Sequence, residues 1–328
     1  MRLLLAAALL CLQAGISSCI ARDMRFVAWN IENYWPVPHE HLRVSKISGE
    51  PSLVRIDSDY DAIRAVIGQL GGDVFGLQEM ASPEAVRTLF PEKDWGLVFA
   101  GNFADDLARD PDKLSDPRRR DIYTAIVYRR TSAVLVAEER IPGLRMPEPE
   151  PDGSIGYTRE GIAAKLRIRN REVWAVSIHL KAFCAEELDP FTYSDPAQPL
   201  RTVACQILAA QLPILRAWVA AKVEAGEDVV LLGDFNNQLA RAESKVGAYL
   251  NEGIPGGLIA TPGDRTDLCT AFRDEPRPSI DFIMITSGLA DRARLRNTMP
   301  KLNILSEKIS DHCPVWLDID FRDRDGTR

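Results

Sequence analysis

Val229-Val230-Leu231-Leu232-Gly233-Asp234-Phe235-Asn236 sets four large apolar residues before a glycine, an aspartate and an asparagine. A short unbroken run of this kind reads as a strand buried on both faces, and the glycine and the acid mark its end. Ser310-Asp311-His312-Cys313-Pro314-Val315 likewise puts an aspartate and a histidine at one end of the apolar run 315–319. Strand ends are where a rigid scaffold presents chemistry. Two aspartates, an asparagine and a histidine suit metal-assisted phosphate-ester cleavage, which needs oxygen ligands for a hard cation, an activated water and a proton carrier. The chain has only four histidines in 328 residues, and one falls in this second stretch.

Outward from these stretches, strand and helix signals alternate without an internal repeat, which predicts an α/β fold. Further strand runs are 24–32, 74–79, 122–127, 162–168, 173–180 and 280–285. Ile56, Ile63, Val66, Ile67 and Leu70 recur at helical spacing, and Gly71-Gly72 stops that helix. A long apolar-periodic helix spans 200–223, where Pro213 is expected to kink or divide it. Loops are expected over the mixed-charge segment 101–121, the proline-rich segment 141–153 and the glycine- and proline-rich segment 251–267. No linker splits the chain, so one domain is expected over 23–320, with a polar tail at 321–328.

With 46% hydrophobic and 27% charged residues, the composition is that of a soluble globular protein and excludes fibrous or disordered classes. A formal charge of -7 repels polyanions, so nucleic-acid binding would need clustered arginines and a metal ion. Residues 1–21 read as a secretory signal, because the apolar run from Leu3 to Leu12 is too short to span a bilayer. Ile16-Ser17-Ser18-Cys19 resembles a bacterial lipobox, which would anchor the protein through a lipid on Cys19; cleavage near Ala21 is the competing reading. Export to the periplasm or the medium is expected either way. Four cysteines remain beyond the signal, Cys184, Cys205, Cys269 and Cys313, and allow three full pairings. Cys184 with Cys205 is favoured for its short loop, and Cys313 reads as a buried free thiol.

The residue types assign provisional roles. Glu79, Asn30, Glu32 and Asp311 can supply oxygen ligands to Mg²⁺, with Mn²⁺ or Ca²⁺ as alternatives. Asp234 can orient or deprotonate a water, while Asn236 and His179 hold phosphate oxygens. His312 can carry a proton if Asp281 fixes its tautomer. Taken singly, each has a plainer reading: Asp234 and Asp311 as turn or cap residues, His179 as a core histidine. His39 and His41 read as loop residues, Arg118 to Arg120 as either a phosphate grip or a solvated mixed-charge loop, and Trp29, Trp174, Trp218 and Trp316 as core.

In order, Trp29-Asn30-Ile31-Glu32, Leu77-Gln78-Glu79, Ser177-Ile178-His179-Leu180, Gly233-Asp234-Phe235-Asn236, Ile280-Asp281-Phe282 and Ser310-Asp311-His312 closely resemble the endonuclease/exonuclease/phosphatase superfamily, over nearly the whole mature chain. The nearest subgroup is deoxyribonuclease I-like. There Thr158-Arg159-Glu160-Gly161 is matched by an arginine that approaches substrate phosphate, and His179 and His312 match the two catalytic histidines. The resemblance implies a four-layer α/β sandwich of two packed mixed sheets flanked by helices. It further implies that Glu79 binds metal and pairs with His179, and that Asp281 pairs with His312. Two departures stand out: Phe282 replaces a polar residue, and Lys181-Ala182-Phe183-Cys184 looks like exported bacterial members of uncertain substrate. The expected activity is a Mg²⁺-dependent phosphodiesterase, a nuclease on DNA or RNA, acting as a monomer. The alternative is a phosphatase or phospholipid phosphodiesterase on a small phosphorylated head group, and a third reading is a catalytically silent binding module.

Overall fold

The computed structural model describes residues 23–44, 49–150, 153–184, 188–239, 242–261, 279–294 and 309–322. The expected signal segment with Cys11 and Cys19, Cys269, and residues 323–328 of the expected tail lie outside them. In chain order the elements are β1 (Met24–Tyr34), α1 (Asp57–Leu70), β2 (Val74–Met80), α2 (Pro83–Leu89), β3 (Trp95–Phe99), α3 (Asn102–Arg109), β4 (Tyr123–Arg129), β5 (Val134–Ile141), β6 (Pro147–Pro149), β7 (Ile155–Tyr157), β8 (Gly161–Ile168) and β9 (Arg171–His179). They continue with α4 (Pro199–Glu224), β10 (Asp228–Asp234), α5 (Lys245–Asn251), β11 (Leu258–Thr261), β12 (Asp281–Thr286), α6 (Ser287–Ala290), β13 (Ala293–Arg294) and β14 (Val315–Ile319).

Two six-stranded mixed sheets, ordered β13-β14-β1-β2-β4-β3 and β11-β12-β10-β9-β8-β5, pack face to face. Each is built around one parallel pair joined by a helical crossover: β1 with β2 through α1, and β9 with β10 through α4. The core between the sheets contains Phe26, Val74, Ile126, Leu166, Leu232 and Leu317. The other face of the first sheet packs Phe75, Leu77 and Val127 against Ile63, Val66 and Leu70 of α1. The other face of the second packs Val176, Ile178 and Leu231 against Leu208, Leu212 and Leu215 of α4. This is the expected four-layer sandwich. The central strands are apolar on both faces because each lies between a helix and the opposite sheet.

The intersheet contact leaves no room at Gly76, where a Cβ would collide with Leu232. α1 ends as read, with Gly71 in the left-handed region (φ 58) and its N–H bonded to Ile67 O. α4, by contrast, is not divided: it runs unbroken through Pro213. Its buried stripe of Ala204, Leu208, Leu212, Leu215 and Val219 binds it to the sheet on both sides of the proline. The segment expected as the loop 101–121 contains α3, and those at 141–153 and 251–267 contain β6 and β11. Phe321, expected in the tail, is buried against Phe26 with ring centroids 6.2 Å apart.

Cys184 and Cys205 are disulfide-bonded, the favoured pairing, and tie the segment after β9 to α4. Cys313 is also disulfide-bonded, to a partner outside the described residues, so it is not a free thiol. Trp29 and Trp174 are buried, and Trp218 and Trp316 pack on the core partly exposed.

Candidate active site

The parallel strands β1, β2, β9 and β10 end at the same edge of the sandwich, and their last residues meet there. Two bulges aim the side chains. β1 loses its register with β2 after Asn30, where Glu32 and Asn33 take φ 47. β2 loses its register with β4 after Leu77, where Glu79 takes φ 64. A left-handed backbone at a residue with a bulky side chain is strained, and surrounding structure must hold it. The Asn33 N–H donates to Glu79 Oε2 (2.8 Å), and the Glu32 N–H donates to Asn30 Oδ1 (2.9 Å). Arg55, 1% exposed, gathers the carbonyls of Ile31 (2.7 Å), Glu32 (2.8 Å) and Ile309 (2.7 Å), joining the first bulge to the segment before His312.

Gly233 brings β10 against β9: a Cβ there would strike Ile178 O. Asp234 follows and becomes the hub. Its Oδ2 accepts from Asn30 Nδ2 (3.2 Å) and lies 3.5 Å from His179 Nε2 and 3.7 Å from His312 Nε2. Its Oδ1 accepts from the Asn236 N–H (2.8 Å), and Asn236 Nδ2 donates to Leu180 O (3.0 Å). Asp281 pairs through Oδ2 with His312 Nδ1 at 2.7 Å, while its buried Oδ1 has no hydrogen-bond partner among the described residues. Ser310 Oγ donates to Asn30 O (2.7 Å) and accepts from the His312 N–H (3.0 Å), fastening this segment to β1.

Electrostatics separates the roles. Burial alone would discharge His312, but Asp281 and Asp234 outweigh it and hold the imidazolium well above its usual range. Burial lowers His179 and keeps it neutral, against the pull of Asp234 and Glu79. Burial lifts Asp234 to about 6 despite the two histidines. Desolvation would raise Glu79 too, yet His179, Arg43 and His312 bring it down to about 2. Burial and the neighbouring Asp311 carboxylate lift Glu32 to about 7.

Nine of the ten residues singled out in the sequence thus share one locus: Asn30, Glu32, Glu79, His179, Asp234, Asn236, Asp281, Asp311 and His312. His179 Nε2 lies 4.0 Å from Glu79 Oε1, its expected partner, and 3.5 Å from Asp234 Oδ2, so it stands between the two carboxylates; the Glu79 oxygens also accept from Asn30 Nδ2 (3.3 Å) and the Asn33 N–H (2.8 Å). Arg159, the tenth, stands on the wall of a cleft of about 740 Å³ that reaches Glu79 and His179. There it donates to Tyr157 O (2.5 Å) and lies 3.9 Å from Asp121. Phe282, in place of a polar residue, is buried against Phe235.

Asp234, Asp281 and His312 bring three ligand atoms within 4.8 Å of one another, spacing that a metal ion could use. The expected oxygen set suits a hard cation better, because His312 is held as an imidazolium by Asp281 and a protonated ring nitrogen does not ligate. Around Glu32, the Asp311 N–H donates to Oε2 (3.0 Å), which brings two carboxylates together with Glu79 nearby. A divalent cation would relieve that crowding.

Arg43 and Arg55 carry no readable signal in the sequence, being lone arginines in an irregular segment. Arg43 lines the cleft and donates to Asn33 Oδ1 (2.7 Å).

The sequence profile of the Endonuclease/Exonuclease/phosphatase family matches residues 27–312. The chain belongs to this family. Its fold recurs in the catalytic domain of human Nocturnin, with a TM-score of 0.55 and 16% identity over 92% of this chain and 95% of that one. A mannosyl-6-phosphatase from Bacteroides thetaiotaomicron gives a TM-score of 0.52 and 13% identity over 91% and 100%. A further family protein from the same organism gives 0.51 and 14% over 92% and 99%. At such identities the likeness is one of fold. No curated protein matches the chain in sequence. The six fragments that carry the resemblance all lie within the matched span, and each brings a residue to the locus around Asp234.

Proposed function

We propose that the chain is an exported, Mg²⁺-dependent phosphodiesterase that cleaves nucleic acid. The observation that carries this reading is the convergence on Asp234 Oδ2 of two histidine ring nitrogens, at 3.5 and 3.7 Å, one of the rings held by a second aspartate at 2.7 Å. Glu79, Asn30, Glu32 and Asp311 would hold the cation, with Mn²⁺ or Ca²⁺ as alternatives. When bound, it neutralises phosphate oxygens at the pentacoordinate centre.

In the proposed step, Asp234 takes a proton from water as the water oxygen bonds to phosphorus. The bond to the leaving oxygen breaks in line, and His312 gives that oxygen its proton. Asp281 keeps His312 charged and oriented. Neutral His179 and Asn236 donate to the non-bridging oxygens, and Arg159 stands ready for a neighbouring phosphate.

Cleavage of a labelled oligonucleotide is expected with Mg²⁺, to vanish in chelator and return on re-addition, and to fall by about 10²–10⁴ in His312→Ala. Undiminished cleavage in both chelator and variant would refute the mechanism. The mannosyl-6-phosphatase neighbour and a cleft whose wall arginines are mostly paired with carboxylates favour a second reading, a small phosphorylated substrate such as a sugar phosphate or lipid head group. A panel of supercoiled DNA, RNA, sphingomyelin and inositol phosphates separates the two.

A further inference from the structure

Four residues beyond His179, Phe183 combines three properties that folding alone does not reward. It takes φ 70, a left-handed backbone region that is strained for a bulky residue. The residue is 71% exposed, and among the described residues no other aromatic ring packs on it. It nevertheless lines the cleft shared with His179, Arg43 and Arg159.

The segment around it is fastened on both sides. The Lys181 N–H donates to the buried Gln211 Oε1 (2.8 Å), and Lys181 Nζ pairs with Glu148 of β6 (2.7 Å). Leu180 O accepts from Asn236, and Cys184 is bonded to Cys205 of α4. Phe183 is therefore presented to the cleft from a fixed base, with Lys181 Nζ 4.9 Å from its ring centroid.

We propose that Phe183 is the floor of a nucleobase-binding subsite, and that the strand cut at this site enters single-stranded. The inference rests on the phosphodiesterase reading and names its substrate. A flat ring is best met by another flat ring, and stacking tolerates any base because every base has a π-face. At most about 14 Å of extended chain separates Phe183 from His179. The ring that reaches it must then be joined closely to the phosphate being cut, which describes a nucleotide. Sugar phosphates offer no such ring, the cation of a choline-type head group would have to share the ring with Lys181 Nζ, 4.9 Å from its centroid, and an acyl chain finds no apolar groove beside a lysine ammonium. In a duplex the base faces are already covered by their neighbours, so only an unstacked base can lie on Phe183.

The test compares the full-length protein with Phe183→Ala and Phe183→Trp on two oligonucleotides, one normal and one with an abasic residue beside the cleaved phosphate. KM and kcat are measured, and binding is followed by fluorescence anisotropy of the same labelled strands. Phe183→Ala is expected to raise KM and Kd on the normal strand about tenfold or more with kcat little changed. Phe183→Trp should retain wild-type values, and on the abasic strand all three proteins should agree. Equal shifts on both strands would assign Phe183 a structural role, and no shift would assign it none; either result overturns the inference. Preference of the wild type for a duplex of the same sequence would overturn it as well. If the wild type cut neither strand, the phosphodiesterase reading would fall, and the anisotropy comparison would still decide the subsite.

Discussion

At the scale of single residues, Asp234 is the group on which the others depend, and its burial has two measurable consequences. Its folded pKa of about 6 lies above the ordinary aspartate value, so the folded state holds the proton more tightly than the unfolded chain. Stability from this group is fully present below about pH 4 and is lost as pH rises through about 6. Asp234→Asn removes the buried charge and keeps an oxygen for Asn30. It is expected to be more stable than the wild type by about 1–3 kcal/mol at pH 7, with the difference vanishing near pH 3.5. Chemical denaturation at the two pH values checks the sign. The same carboxyl must be ionised to take a proton, so wild-type kcat/KM should fall below about pH 6. His312 must be charged to give one, so an alkaline limb should follow well above pH 6.5. A pH profile that stayed flat between 5 and 7 would count against Asp234 as the base.

At the scale of elements, α4 shows how packing overrides a local signal. Pro213 is exposed and sits mid-helix, where it removes one backbone hydrogen bond and crowds the preceding turn. The buried stripe on either side holds the helix together. Pro213→Ala should therefore raise stability by about 1–3 kcal/mol without touching the core, read as a shift of the denaturation midpoint at unchanged slope. The strands that position the site were legible for a physical reason. β1, β2, β9, β10 and β12 are covered on both faces, so their apolar runs are continuous and their polar terminal residues stand out. β5 was not legible, because it is an edge strand with exposed Val134, Val136 and Glu138 among its residues. α3 hides in mixed charge, since it buries little beyond Phe103, Asn102 and Asp106. The left-handed turns at Glu32 and Glu79 and the carbonyl clamp of Arg55 left no trace in residue order, because they arise only when β1, β2 and the segment before His312 come together.

At the scale of the whole molecule, the proposed function raises the question of how an acidic protein would hold an anionic chain. The cleft wall carries many arginines and lysines, but most already have carboxylate partners: Arg118 with Asp116 (2.8 Å), Arg145 with Asp106 (2.9 Å), Arg119 with Asp110 and Arg109 with Asp106. Arg120 is spent on the carbonyls of Leu114 and His41 and on the face of Trp35, 3.8 Å away. These side chains build the wall and form no basic track. Arg43 and Arg159 remain: Arg43 bonds to a neutral amide, and Arg159 to a carbonyl, with Asp121 at 3.9 Å. Two such contacts predict a shallow dependence on salt. For a single strand, log K falls with log salt by about 0.7 for each phosphate neutralised. Between 50 and 200 mM salt, affinity for an oligonucleotide should therefore drop by less than about tenfold, whereas a protein gripping six to ten phosphates loses about 10³–10⁵. Titrations at constant Mg²⁺ would measure this slope. Arg159→Gln should reduce it by about half a unit to one unit, and a steep slope unchanged in that variant would mean that a long basic track exists elsewhere on the surface.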